Sequence, residues 1–441
     1  MTGTGLGPTL VRSMAGSSAV QVAGMAVTFL VGIQLARGLG VEGYGIYGIA
    51  MAVISLASIP GEFGLPKLVT REVASASARQ DLPTLFGVLR WSDRACYLIS
   101  AVVAGATALG AFLFVGGTES PLAGAILWGA PIIPLLALAK IRGAALQGLH
   151  FIVRGQVAVG FARPLMLSVS LFLLFRFVTD AGAAEVMALN SLTALAALVL
   201  AHWWLRSRLP RPAPDQLRMH AKKWRASSVP MALGEGVLVI NAQLGILLLG
   251  ILAGATDVGL FRIAVSILTV VGLPLLLVNA VVSPVMARLF AEDDRRRLQH
   301  LCSSSAQAMG AAVLGMSLLL ALWGDDLLSW LFGEEFAPAL PALLLLCGGV
   351  FVSAAFGPNA TLLNMTGHER RVTRAMAIGL VVNLALVVAL VPVWGTPGAA
   401  VGMVGSMLVW NLLTWNDARR LLGIDTSLLP SVAASTAGSS S

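Results

Sequence analysis

Residues 206–225, RSRLPRPAPDQLRMHAKKWR, form the longest polar, proline-containing stretch of this 441-residue chain. Six apolar runs precede it, at 14–36, 44–65, 95–116, 121–140, 157–178 and 182–205. Six more follow, at 227–252, 258–286, 303–323, 337–363, 373–393 and 396–416. A bilayer core about 30 Å thick is crossed by roughly 20 apolar residues in a helix, so each run has the length of a crossing. The eighth and tenth are long enough to tilt or to include an interfacial turn. The first, MAGSSAVQVAGMAVTFLVGIQLA, is long for a signal-peptide core and lacks a clear small-residue cleavage site, which makes it the first span.

Composition agrees. The chain is 57% hydrophobic and 11% charged, with mean hydropathy +0.86. Soluble chains carry about 25% charged residues. The apolar runs are continuous, which excludes an outer-membrane barrel with alternating strands. Forty-seven Gly and 20 Pro suit close-packed, kinked helices. A net charge of +8 points to nucleic acid only in a soluble chain; here it is the mark of cytoplasmic loops, and no nucleic-acid partner is expected. With the N-terminus placed in the cytoplasm, all but three of the 29 Lys and Arg residues fall inward, the exceptions being Arg37, Arg176 and Arg262. The acidic cluster Asp325, Asp326, Glu334 and Glu335 falls outside. The positive-inside rule demands such a split, and one missed span would destroy it. The expected fold is therefore an all-α, multi-pass integral membrane protein with about 12 transmembrane helices and both termini cytoplasmic. Its expected parts are a six-helix lobe at 1–205, a basic linker at 206–226, a second six-helix lobe at 227–420, and a cytoplasmic tail at 421–441, disordered from about Ser431.

The two halves echo each other at an offset of 214–217 residues. Gly45-Ile46-Tyr47-Gly48-Ile49-Ala50 matches Gly259-Leu260-Phe261-Arg262-Ile263-Ala264, and Gly182-Ala183-Ala184 matches Gly398-Ala399-Ala400. Arg71 matches Arg288, and Leu146-Gln147 matches Leu363-Asn364. Six spans per half is an even number, so the repeat is parallel, and transporters built this way bind near the midplane between the repeats. The charged segments 66–90 and 287–300 read as interfacial helices on the cytoplasmic side.

No enzyme constellation is present. The five His residues (His150, His202, His220, His300 and His368) show no HExxH or paired ligand spacing, and no GxxxxGK[ST] phosphate loop exists. Asp293-Asp294 adjoins Arg295-Arg296-Arg297 and reads as a solvated charge run. Cys96, Cys302 and Cys347 form neither a disulfide framework nor a metal pair. Catalytic residues, metal ligands and cofactors are not expected.

Polar groups inside spans carry more information, because ionisable residues there are costly. Glu235 lies deep in span seven between two glycines. It is either an ion-coupling group or half of a buried structural pair. Asn241 and Gln243 follow two turns later. Glu62, near the inner end of span two, is an ion-coupling candidate or an interfacial carboxylate beside Lys67 and Arg71. Arg163 adjoins Pro164 in span five, and Arg71 and Arg262 sit at opposite ends of early spans. Guanidinium groups in a cavity suit an anionic ligand; at span ends they snorkel. Asn359 and Asn364 line a cavity or join helices by hydrogen bonds.

Leu35-Ala36-Arg37-Gly38-Leu39-Gly40-Val41-Glu42-Gly43-Tyr44-Gly45-Ile46-Tyr47 resembles the LAR-x-LG-x-EGYG-x-Y signature of polysaccharide (O-antigen-type) flippases. Phe63-Gly64-Leu65-Pro66 with Thr70-Arg71-Glu72 resembles that family's next block. Asp257-Val258-Gly259-Leu260-Phe261-Arg262-Ile263-Ala264 is similar to a block of its second half, and Gly398-Ala399-Ala400 to the start of its last span. The family belongs to the multidrug/oligosaccharidyl-lipid/polysaccharide superfamily. The resemblance implies two six-helix lobes facing each other in a V, in the cytoplasmic membrane. It implies transport of a polyprenyl-diphosphate-linked oligosaccharide to the outer leaflet, with cationic cavity residues holding the diphosphate. Arg37, Arg71 and Arg262 fall in the matched blocks; Arg163 does not. The family often has an acidic residue where Asn241-Ala242-Gln243 stands, so its absence leaves Glu235 as the coupling candidate, for a proton or a sodium ion. The partners implied are the lipid-linked oligosaccharide, membrane lipids, and a polysaccharide polymerase with other assembly proteins. The rival reading is a cation-coupled multidrug antiporter of the same superfamily.

Overall fold

The computed structural model describes residues 6–117, 120–178, 180–209 and 217–428. They fall into two compact units, Met1–Gln243 and Leu244–Ser441. The first holds α1 (Leu6–Glu62), α2 (Leu65–Ala78), α3 (Leu82–Phe114), α4 (Pro121–Gly129), α5 (Ile132–Gly148), α6 (Ile152–Val157), a π-helical turn (Ala158–Ala162), α7 (Arg163–Phe177), α8 (Ala183–Arg206) and most of α9 (Ala221–Leu252). The second holds the end of α9, α10 (Ala255–Val271), α11 (Leu273–Ala291), α12 (Arg295–Phe332), a 3₁₀ turn (Glu334–Ala339), α13 (Leu340–Ala355), α14 (Asn359–Met365), α15 (Glu369–Trp394) and α16 (Thr396–Leu422). The unit boundary falls inside α9, beyond the polar stretch; the middle of that stretch, 210–216, lies outside the described residues.

Among the described residues, ten helices are long and apolar enough to cross a membrane. The first of these, Ala19–Ala78, covers most of the run expected at 14–36 and all of that expected at 44–65. Gly40, at φ 67° and ψ −179°, divides them. Only glycine adopts that backbone cheaply. Large apolar side chains stand outward, among them Phe114, Phe177 and Val393 at 86%, 79% and 75% exposure. Such faces suit lipid rather than water.

The duplication is repeated in the backbone. Gly254, at φ 102° and ψ −177°, stands between α9 and α10 as Gly40 stands within α1. In the turn after α2, Gln80 takes φ 56°, Asp81 N–H donates to Ala76 O at 2.9 Å, and Asp81 caps α3 through Thr84 N–H. In the turn after α11, Asp293 takes φ 52°, Asp294 N–H donates to Leu289 O at 3.0 Å, and Asp294 caps α12 through Arg297 N–H. The Thr84 hydroxyl and N–H hold the Asp81 carboxyl below its ordinary value. Helix contacts repeat as well. The pairs α2–α5, α4–α8 and α5–α8 recur as α11–α14, α13–α16 and α14–α16. The buried clusters use equivalent positions, Leu85, Leu146 and Leu205 in one unit and Leu298, Leu363 and Leu422 in the other.

One reading of the sequence is corrected. The segment 287–300 is no separate interfacial helix: it is the end of α11, a three-residue turn and the start of α12. Its first-half counterpart is a helix, α2, followed by the first turns of α3. The eighth run breaks at Gly272, because Pro274 cannot continue the hydrogen-bond ladder. The tenth breaks at Gly357, φ 71°, ahead of Pro358. The first residues of the expected tail pack back on their own unit. Asp425 and Thr426 are buried, with Trp415 Nε1 donating to Asp425 at 2.9 Å and Thr426 Oγ1 to Phe356 O at 2.7 Å. The stretch from Ser431 lies outside the described residues.

Candidate functional site

Within the first unit, a cavity of about 620 Å³ is lined by polar groups from four elements. α1 contributes Gln21 and, at its last residue, Glu62. α2 contributes Lys67 and Thr70, one turn apart. α5 contributes Lys140 and Gln147, two turns apart and therefore on one face. Gln156 of α6 and Gly160 of the π-helical turn complete the wall. Such turns are frequent at functional sites. Here α1 packs directly on it, since a Cβ on Gly24 would lie 2.1 Å from Gly160 O.

Glu62 is presented by a strained break. Phe63 takes φ 38° and Gly64 φ 66°, which ends α1 and opens α2. Positive φ at a bulky residue such as Phe is costly and persists where the surroundings impose it. α9 packs closely on the break: a Cβ on Gly64 would lie 2.7 Å from both Ser228 O and Ala232 N. Lys140 Nζ meets Glu62 Oε1 at 2.5 Å. The lysine and glutamate side chains are 41% and 19% exposed. A pair this open to solvent contributes no more than about 1 kcal/mol to stability. Among the described residues the wall carries the ammonium groups of Lys67 and Lys140 and the carboxylate of Glu62.

The remaining predicted residues are dispersed. Arg163, the first residue of α7, donates from Nη2 to Asn190 Oδ1 at 2.6 Å, and Asn190 Nδ2 donates to the Tyr47 hydroxyl at 3.3 Å. Arg163 Nε is buried with no hydrogen-bond partner among the described residues. Arg71 is exposed, pairs with Glu72 at 3.0 Å, and lines a separate pocket of about 430 Å³ with Arg79, His220 and Lys223. Arg37 is exposed on α1, three residues before the Gly40 break. Asn241 and Gln243 are half-buried on α9 and, two residues apart, do not share a face. The side chain of Glu235 lies outside the described residues.

In the second unit, Arg262 is half-buried on α10 and Asn364 is exposed on α14. Asn359 is 2% exposed and joins helices: its Nδ2 donates to Asn411 Oδ1 at 3.3 Å and its Oδ1 accepts from Ala360 N–H.

Sequence reasoning placed Glu62 beside Lys67 and Arg71; its ion-pair partner is Lys140, 78 residues away. Lys140, Thr70, Gln147 and Gln156 were missed as cavity groups. The signal available is helical spacing, with Lys140, Ala144 and Gln147 on one face of α5, but by the charge split Lys140 reads as a cytoplasmic charge.

Residues 10–290 match the profile of the polysaccharide biosynthesis protein family, and residues 230–389 match that of the MatE family. The chain is 22% identical over 417 residues to the probable low-salt glycan biosynthesis flippase Agl15 of Haloferax volcanii, covering 92% of this chain and 82% of that one. It is 29% identical over 126 residues to stage V sporulation protein B of Bacillus subtilis, covering 26% of this chain and 23% of that one. Among solved structures, it matches the inward-facing conformation of a multidrug resistance MATE family transporter of the MOP superfamily with TM-score 0.74 at 12% identity, over 93% of this chain and 98% of the other. The lipid II flippase MurJ, in an inward closed conformation, matches with TM-score 0.72 at 12% identity, over 91% and 87%. These structural matches show the fold.

Proposed function

Because the chain belongs to the polysaccharide biosynthesis protein family, whose profile spans residues 10–290, we propose that it flips a lipid-linked glycan across the cytoplasmic membrane. It is a transporter, not an enzyme. The observation that carries the reading is similarity to a glycan flippase over 92% of the chain. The cargo is a polyprenyl-diphosphate-linked oligosaccharide taken from the inner leaflet to the outer. Lys67 and Lys140 are the groups suited to the diphosphate, with Gln21, Gln147, Gln156 and Thr70 as neutral hydrogen-bonding partners. Two units with the same internal packing are the build of parallel-repeat transporters that work by alternating access. An inside-negative membrane drives an anionic head outward, at about 2.3 kcal/mol per charge per 100 mV, hence roughly 4–5 kcal/mol for two charges.

The MatE match at 230–389 favours one second reading, a cation-coupled multidrug antiporter. Reconstituted protein offered a fluorescent lipid-linked oligosaccharide in one set of vesicles and a cationic dye in another separates the two. Movement of the sugar lipid with a static dye supports the flippase. Dye transport with a static sugar lipid overturns it.

A further inference from the structure

The pocket that holds Arg71 shares no lining residue with the cavity of Glu62 and Lys140. Two helical stripes build it. Arg71 and Ser75 of α2, with Arg79 at its C-cap, are spaced by four residues and share a face. His220, Lys223 and Ser227, at the start of α9, are spaced by three and four and do the same. Each stripe thus brings two basic side chains and one hydroxyl. The chain entering α9 is seated firmly on the start of α3. Arg218 N–H donates to Pro83 O at 3.2 Å, and a Cβ on Gly87 would lie 2.1 Å from Arg218 O. The end of the polar stretch, whose charges read as those of a linker, therefore forms a wall of a built pocket.

The two carboxylates of this pocket are committed to neighbours in their own elements. Glu72 accepts from Arg71 Nη2 at 3.0 Å and from Arg71 Nε at 3.2 Å. Asp81 accepts from the Thr84 N–H at 3.2 Å and from its hydroxyl at 2.8 Å. Arg79 and Lys223 make no ion pair among the described residues. Like charges gathered from two helices repel, and an anion placed between them removes that cost. A guanidinium offers paired N–H donors that match a phosphate, and serine hydroxyls add further donors. The pocket lies where the candidate crossing that ends at Ala78 gives way to the one that starts at Leu82, hence at the membrane surface. Basic pockets between membrane helices at such a level hold lipid head groups. We infer that this pocket is a phosphate-binding site distinct from the first-unit cavity, taking the phosphate group common to anionic phospholipids and free phosphate. Arg79 and Lys223 are its principal contacts. A bound phosphate ties the corner between α2 and α3 to the first turns of α9.

The test titrates purified full-length protein, in an uncharged detergent, with three probes. They are dioctanoyl phosphatidylglycerol, dioctanoylglycerol, which lacks the phosphate, and inorganic phosphate. The Arg79→Gln, Lys223→Gln double variant is expected to lose affinity for the phosphate-bearing probe by about tenfold or more, as two charge-assisted contacts are removed. A control of equal charge change, Arg296→Gln with Arg370→Gln, alters exposed side chains of the second unit. It is expected to stay within about twofold of wild type, as scattered surface charges contribute little. Should the first double variant fold poorly, each single variant is read in its place, with a loss of about threefold expected. A loss confined to phosphatidylglycerol supports the site with a lipid headgroup as its ligand. A loss that includes inorganic phosphate supports it with phosphate itself as the ligand. Wild-type protein that binds phosphatidylglycerol no better than dioctanoylglycerol, and binds no inorganic phosphate, overturns the inference. So does phosphate binding that persists in the pocket variants, or that falls equally in the control.

Discussion

Arg163 and Asn190 are bound at 2.6 Å between α7 and α8, and the amide passes the connection on to Tyr47 in the second crossing of α1. Asn190 is fully buried. Removing one partner of a buried charge-assisted hydrogen bond leaves the other unsatisfied, at about 1–3 kcal/mol. Asn190→Ala is expected to lower the thermal unfolding midpoint measurably, because it strands Arg163. An unchanged midpoint would show that the arginine finds another partner.

The contact of α1 with the π-helical turn gives a differential prediction. A Cβ on Gly24 would meet Gly160 O at 2.1 Å, whereas a Cβ on Gly160 would meet nothing within 4 Å. Two backbones in contact cannot yield as a flexible side chain does. Gly24→Ala is expected to cost about 1–3 kcal/mol or more, while Gly160→Ala leaves unfolding near wild type. Equal behaviour of the two variants in a thermal-shift comparison would contradict the packing.

Asp257 does structural work within the matched second-half block. Its Oδ1 accepts from Thr396 N–H at 2.9 Å and from Thr396 Oγ1 at 2.6 Å, so a side chain of α10 caps α16 from outside. Loss of a helix cap typically costs about 0.5–2 kcal/mol. Asp257→Ala is expected to destabilise by that amount and Thr396→Ser to be nearly neutral, since serine keeps both donors. Denaturation in a single detergent checks the pair.

These particulars show where the sequence was readable. The bilayer imposes length and polarity on each crossing, so the spans could be read from apolar runs. The repeat was readable because its turns reuse equivalent positions: His150 and Gly367 both take positive φ, 67° and 79°, after Leu146 and Leu363. The segment 287–300 was misread because its charges are those of a helix end and a helix start joined by a turn, which composition does not distinguish from one amphipathic helix. The cavity was hardly readable. Glu62 and Lys140 meet only because a strained break at Phe63-Gly64 aims one element at another, and that depends on α9 packing from far along the chain. Asn359, read as either a cavity group or a helix joiner, hydrogen-bonds Asn411 of α16.

The central claim is that lysines of the first-unit cavity carry an anionic lipid-linked sugar outward. The most direct measurement is flipping of a fluorescent polyprenyl-diphosphate oligosaccharide in proteoliposomes, with and without an inside-negative potential, for wild type and for the Lys67→Gln, Lys140→Gln double variant. The account predicts flipping that the potential accelerates in the wild type and that the double variant loses while remaining folded. Flipping by the folded double variant at the wild-type rate, with the same response to potential, would contradict it.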